Sequence, residues 1–291
     1  MENELVNSNG NNSQAPTPTA SPRKRYGNWP LIILAGLFIV VPFLTWYATW
    51  FGRNLSDDDI AKYLADEKSP RHIQHALAQL EPRIEKADPG AKKFYPQIVA
   101  LTASEHAEVR KTAAWVMGQD NTADEFHRAL LKLLSDREPL VRRNAALQLV
   151  RFGDASGRPE LRAMLQPYDV ESPIEGTIVS LLGPGSNIRA GALLARIRDA
   201  SSAVQEFRSP LDGQITSLRV KERDSISMGQ TICSLTPDQT TIQDSVRALA
   251  YVGTPEDLPL LRSVAETVSS AEIQQDTKVA LKEIEARSPK Y

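Results

Sequence analysis

The spacing of apolar residues changes character along this chain. Residues 31–50, LIILAGLFIVVPFLTWYATW, form one apolar run without a charge. From 57 to 166 apolar residues recur three and four apart, in HIQHALAQLEPRI, FYPQIVALTA, EVRKTAAWVMG, EFHRALLKLL, LVRRNAALQLVRFG and PELRAML, which predicts amphipathic helices. Between about 168 and 236 that period gives way to alternating β-branched residues broken by Gly and Pro, which predicts short strands. Helical spacing returns at 238–291.

Internal matches organise these stretches. Val109-Arg110 and Ala113-Ala114 recur as Val141-Arg142 and Ala145-Ala146, 32 residues on. A fixed period of this length marks stacked helical hairpins, each unable to bury its apolar face alone. LVRFGDASGRPELR at 149–162 matches LAYVGTPEDLPLLR at 249–262: Leu149, Gly153, Pro159, Leu161 and Arg162 stand opposite Leu249, Gly253, Pro259, Leu261 and Arg262. The offset is 100 residues, and removing the roughly 68 of β pattern leaves the same period of 32. A β-domain at 168–236 is therefore inserted between two adjacent helical repeats. The insert is itself duplicated, with SPIEGTIVSL (172–181) matching SPLDGQITSL (209–218) and IRAGALLARI (188–197) matching ISMGQTICSL (226–235). Each half runs strand, turn at Gly176 or Gly213, strand, turn at Gly191 or Gly229, strand, and two halves about a pseudo-twofold predict a small flattened barrel.

At about 1.5 Å per residue, the apolar run reaches the roughly 30 Å of a bilayer's hydrocarbon core. Tyr26, Trp29, Trp46, Tyr47 and Trp50 flank it as interfacial aromatics do, and Pro42 inside it is tolerated in lipid. It is too long for a cleaved signal peptide. The expectation is a transmembrane helix at 29–52, with the lipid bilayer as that segment's partner. Arg23-Lys24-Arg25 before it and Asp57-Asp58-Asp59 after it place the N-terminus in the cytoplasm and residues 53–291 in the periplasm of a bacterial inner membrane. Residues 1–28, rich in Asn, Ser, Pro and Thr, bury too little to offset their ordering entropy and are expected to be a disordered cytoplasmic tail.

The pattern VRxxAA…L…G…P.LR resembles HEAT repeats, particularly the short variety of bilin-lyase-like proteins, over about 70–165 and 238–286. SPLDGQI followed by ISMGQTICSL is similar to biotinyl/lipoyl domains, and equally to the hybrid barrel of membrane fusion proteins, the hemolysin-D-type periplasmic adaptors. Arg223 departs from that pattern, standing where many members have Gly. Together the resemblances imply a mixed fold: an N-terminal transmembrane helix, an α-solenoid of HEAT-like hairpins at 57–166 and 238–291, and an inserted all-β barrel-sandwich hybrid domain at 168–236. They imply structural roles for Gly153, Pro159, Gly253, Pro259, Gly176, Gly191, Gly213 and Gly229, and for Arg110 and Arg142, each bonding an acid or carbonyl at a neighbouring turn. In carrier domains the cofactor lysine precedes the second half's Gly by eleven positions, which lands here on Ser202, and no Lys lies between Lys132 and Lys221. A serine hydroxyl cannot form the amide that holds biotin or lipoate, so no cofactor is expected. In adaptors a long helical hairpin leaves the same turn, but the residues here are too few for one helix. Asp199, Ala200, Ser201, Ser202, Ala203 and Val204 remain as a candidate protein-docking turn.

Composition adds exclusions. With 34 basic and 36 acidic residues the net charge is −2, and no nucleic-acid partner is expected. The single cysteine, Cys233, allows neither an internal disulfide nor a thiolate-rich zinc site and is expected to be a small buried apolar residue. His72 and His75 lack a third ligand, so no metal site is expected, and His106 and His127 are taken as surface or helix-boundary residues. Arg142-Arg143, Lys92-Lys93 and Arg110-Lys111 are expected on solvated faces. No hydrolase triad order, HExxH motif or phosphate-cradling loop is present, so the chain is not expected to be an enzyme. The expected function is a membrane-anchored protein-binding scaffold, an adaptor-like subunit of a transport or envelope assembly that docks through the HEAT array and the barrel. Its protein partner would be a transporter or envelope component, and homo-oligomerisation is left open. The alternatives are a degenerate carrier docking on a carboxylase or acyltransferase, and a purely structural envelope protein.

Overall fold

The computed structural model of the chain describes residues 29–46 and 54–287, and the chain divides into two units, Met1–Arg53 and Asn54–Tyr291. In the first, α1 spans Trp29–Trp46, with Pro42 inside it and exposed apolar side chains such as Phe38 and Ile39. No helix among the described residues is long and apolar enough to cross a membrane. The 18 residues of α1 rise about 27 Å, short of the roughly 30 Å of hydrocarbon, and residues 47–52, which the expected span needs, lie outside the described residues. The transmembrane helix is overturned, and with it the single-pass inner-membrane placement that put residues 53–291 in the periplasm. The tail expected at 1–28 also lies outside the described residues.

In the second unit, apolar stripes pair helices into hairpins. α2 (Asp57–Leu64) pairs with α3 (Pro70–Glu85), α4 (Tyr95–Ala100) with α5 (Ala107–Met117), and α6 (Asp124–Leu133) with α7 (Pro139–Arg151). α8 (Arg158–Ala163) pairs with α9 (Gln239–Val252), and α10 (Leu258–Thr267) with α11 (Ala271–Arg287). The second helix of each hairpin packs on the next, so α3, α5, α7, α9 and α11 form one row. Pro159 and Pro259 sit in the first turns of α8 and α10, where a missing N–H leaves no helical bond unmade. Gly153 has φ +69, which glycine adopts freely, whereas its repeat counterpart Gly253 has φ −69 and instead leaves room: a Cβ there would lie 2.4 Å from the Leu249 carbonyl oxygen.

Two apolar cores fill the array. One runs from Ile60 through Leu77, Ile98 and Phe126 to Leu149; the other joins Ala146 and Leu161 to Val246, Leu249, Leu261 and Ile284. The array therefore continues across the β insert. Polar bonds cross it as well: Arg158 donates to Thr254 Oγ1 and Glu256 Oε2, both at 2.6 Å, and Arg162 to the buried Asp257 at 2.8 Å. Ser245 Oγ donates to the Leu161 carbonyl at 2.6 Å. Counted from second helix to first, the insert separates two repeats. Counted by the hairpins that pack, it replaces the short loop between α8 and α9.

The insert folds as β1 (Tyr168–Glu171), β2 (Gly176–Leu181), β3 (Asn187–Ile188), β4 (Leu193–Arg198), β5 (Val204–Arg208), β6 (Gly213–Leu218), β7 (Ser225–Ile226) and β8 (Thr231–Thr236). The closed hybrid barrel expected from the resemblance is not formed. Two separate four-stranded antiparallel sheets stand in its place, ordered β1-β8-β6-β3 and β5-β4-β2-β7. No ladder joins them: β3 and β7 are two-residue edge strands, each paired with one neighbour in its own sheet. Replacing each strand by the one four places away converts one order into the other, so the sequence duplication is visible in the topology. Its two halves share local details, Gly191 and Gly229 at φ +79, and Ser172 and Ser209 hydroxyls donating to the carbonyl two residues on at 2.6 and 2.7 Å. Arg223 takes φ +74, a backbone conformation that favours glycine. Val170, Ile178, Ile197, Ile215, Ile232 and Leu235 belong to one core shared by both sheets.

Candidate functional site

Successive turns of α5, α7 and α9 enclose a groove of about 570 Å³ on the exposed face of the row. Trp115 enters it from α5, Leu147, Gln148, Val150 and Arg151 from α7, and Asp244, Arg247, Ala248 and Tyr251 from α9. The spacing of the α9 residues, three and four apart, keeps them on one helix face. The repeat offsets place Trp115, Leu147 and Arg247 at one position, and Val116, Gln148 and Ala248 at the next. Trp115 is 45% exposed and Tyr251 75% exposed. Trp115 Nε1 donates to Glu81 Oε1 at 2.7 Å, which anchors the edge of the indole.

The charges lining the groove are unevenly matched. Arg247 donates to Asp276 Oδ2 at 2.8 Å and Glu272 Oε1 at 3.1 Å, and is neutralised. Arg151 donates at 3.2 Å to the neutral Gln119 amide, and no carboxylate among the described residues pairs with it. Asp244 has no ion-pair or hydrogen-bond partner among the described residues; burial raises its carboxyl pKa, and Arg247 nearby opposes that only in part. At the floor, Gln148 is 3% exposed and its Oε1 receives no hydrogen bond. Gly118 makes space for this carboxamide, since a Cβ there would lie 2.0 Å from Oε1.

Sequence reasoning named none of the groove's residues. One signal was present: Gln148 stands at a repeat position that holds Val116 and Ala248 in the neighbouring repeats, both buried.

The candidate turn, Asp199 to Val204, is the tip of the β4–β5 hairpin. Asp199 Oδ1 accepts from Ser201 N at 2.9 Å, Ser201 Oγ at 2.6 Å and Ala203 N at 3.1 Å, and Oδ2 accepts from Gln205 Nε2 at 2.7 Å. The bonds from Ser201 and then Gln205 hold the carboxyl below its usual range. Ser202 takes φ +68, and Ala200 to Val204 are exposed. The turn presents a pinned, exposed tip about 80 residues of chain beyond the end of α5.

Arg110 and Arg142 do the same work one repeat apart. Arg110 donates to the Ser104 and Glu105 carbonyls at 2.8 and 3.1 Å, and Arg142 to those of Asp136 and Arg137 at 2.9 and 3.2 Å. Each also grips a carboxylate, Arg110 forking onto Asp136 at 2.6 and 2.8 Å and Arg142 reaching Glu160 at 3.1 Å. Neither lies in the groove. Arg110 and Arg143, both expected on solvated faces, are instead buried, Arg143 against the β insert with its guanidinium 5.8 Å from the Tyr168 ring and its Nε without a partner.

His72 bonds Asp66 at 2.7 Å and stacks on Tyr63, and His127 bonds Asp154 at 2.6 Å and stacks on Phe152. No group of three His, Cys, Asp or Glu side chains among the described residues converges to hold a metal. Cys233 is buried in β8, and burial pushes its thiol up to about 11.

Residues 95–172 match the family described as HEAT repeats, helical arrays of a kind that mediate contacts between proteins. No curated protein matches the chain. An engineered protein of known crystal structure is similar over 78% of this chain and 78% of its own, at 16% identity and a TM-score of 0.43. A single-chain, multi-domain long-chain acyl-CoA carboxylase is similar over 43% of this chain and 15% of its own, at 16% identity and a TM-score of 0.24. Likeness at these levels carries no functional argument.

Proposed function

We propose that the chain is a non-catalytic, adaptor-like scaffold that docks a protein partner in the groove between α5, α7 and α9. The carrying observation is the pair of exposed aromatics, Trp115 and Tyr251, lining one groove with Leu147, Val150 and Ala248 in a helical repeat. Tryptophan and tyrosine supply large contact area at low entropy cost and dominate binding energy where they sit in a pocket. Val204, also exposed, gives the β4–β5 tip a second and smaller contact point, as an adaptor that joins two proteins needs.

The test compares proteins captured by the full chain and by its variants. Trp115→Ala combined with Tyr251→Ala should reduce capture of a specific partner at least tenfold, on the order of the 1.4 kcal/mol that tenfold represents. Arg128→Ala, exposed on α6, should leave capture unchanged. Capture that is indifferent to the groove pair would remove this reading.

A further inference from the structure

We infer that the β insert pivots on its two linkers, between a docked position in which Arg143 is buried and an undocked position in which it meets water. This is independent of the groove and of the docking reading above.

Three observations carry it. The first is the attachment. β1 and β8 run side by side, Tyr168 opposite Leu235, so the chain enters and leaves the sheets at one end. Pro167 and Pro237 stand just outside these strands, and neither has an N–H with which to carry the ladder into its linker. The second is the junction with the helices. Among the described residues, every hydrogen bond and ion pair of residues 168–236 stays within the insert. The sheets have their own apolar core, on which α7 lays the partly buried Leu140. The third is Arg143, three residues on and so on the same face of α7. It is 6% exposed, forms no ion pair among the described residues, and its Nε bonds nothing. The nearby carboxylates are engaged elsewhere, Glu160 with Arg142 at 3.1 Å and Asp212 with the Ala190 N–H at 3.2 Å. Burial holds the Arg143 pKa below its usual value, and Glu160 opposes that only in part. The Tyr168 ring at 5.8 Å is a weak substitute for water. A buried N–H without an acceptor is a cost that undocking removes, while covering Leu140 favours docking. With no polar bond to decide between them, these two small opposed terms leave both positions populated. The exposed tip at 199–204 travels with the insert, so its reach from the helices follows this equilibrium.

Spin labels on the full chain test this, attached at Arg128→Cys on α6 and Ser201→Cys at the tip, both exposed, in a Cys233→Ala background. Their distance distribution, read by double electron–electron resonance, should show two populations. Arg143→Met keeps the length of the side chain without its guanidinium, and should raise the docked-to-undocked ratio about tenfold. Leu140→Ser should lower it about tenfold. An arginine that merely held the junction together would lower the ratio when truncated, so the sign separates the two roles.

A single distance in the parent overturns the pivot. Two populations whose ratio falls or stands still in Arg143→Met overturn the part given to Arg143. Should Arg143→Met fail to fold, Leu140→Ser decides alone: a ratio that it leaves unchanged means that the two populations do not report docking on α7, and the inference fails.

Discussion

Arg110 ties a turn, a carboxylate and its own helix together in a nearly dry place: its side chain is 6% exposed and that of Asp136 8%. Burial alone would raise the Asp136 pKa, but Arg110 and the Glu138 N–H hold it below the usual 3.8. A lowered folded value means that Asp136 stabilises the fold above the unfolded value near 3.8, and that this contribution is lost as pH falls through the lower folded value. Asp136→Asn strands a buried guanidinium and should cost about 3–5 kcal/mol at neutral pH, read from the urea midpoint. Between pH 5 and 2 the variant should lose stability less steeply than the parent, and equal slopes would contradict the assignment. That Arg110 recurs as Arg142 was legible in the sequence, because the repeat writes the same arginine twice. Gln148 was marked only by its apolar repeat counterparts, Val116 and Ala248, since a lone glutamine in a helix otherwise reads as surface.

At the scale of elements, the insert replaces a hairpin loop. α9 still packs on α7 and α8, and the Arg158 and Arg162 bonds to the turn before α10 do not involve the sheets. Replacing residues 166–237 by the five that join α6 to α7, 134–138, should leave a helical protein with one cooperative thermal transition in circular dichroism. Loss of cooperativity would mean that the insert holds the array together rather than interrupting it. Strands and turns could be read from Gly, Pro and alternation, since those are local signals. Which strand pairs with which is non-local, and there the expected closure failed at the two-residue β3 and β7. The apolar run likewise predicted a helix, of which α1 is Trp29–Trp46, with residues 47–53 outside the described residues.

For the whole molecule, α7 is the common member. Val141, Ala145 and Leu149 belong to one helical core, Ala146 to the other, and Leu140 packs against the core of the sheets. Leu149→Ala should cost about 2–5 kcal/mol and speed amide hydrogen exchange on both sides, in α5 and in α9. The same truncation in β4, Leu194→Ala, should speed exchange in the strands and leave α5 and α9 unchanged. Equal effects at both sites would deny α7 its central place. The groove belongs to this scale too, and that explains why it escaped the sequence: its walls come from residues 115 to 251, and it exists only after three repeats have stacked.

Placing the sheets between α8 and α9 also sets the order in which a ribosome can complete the protein. When α8 emerges, its partner helix is still about 75 residues from being made, which at 5–20 residues per second is roughly 4–15 s. Through that interval Ala146 and Leu161 wait for Val246 and Leu249, and the sheets themselves are complete only at its end, when β8, the partner of β1 and β6, has been made. The nascent chain therefore passes through a stage with unfinished sheets beside a half-built helical core, and that stage is where a holdase chaperone would meet it.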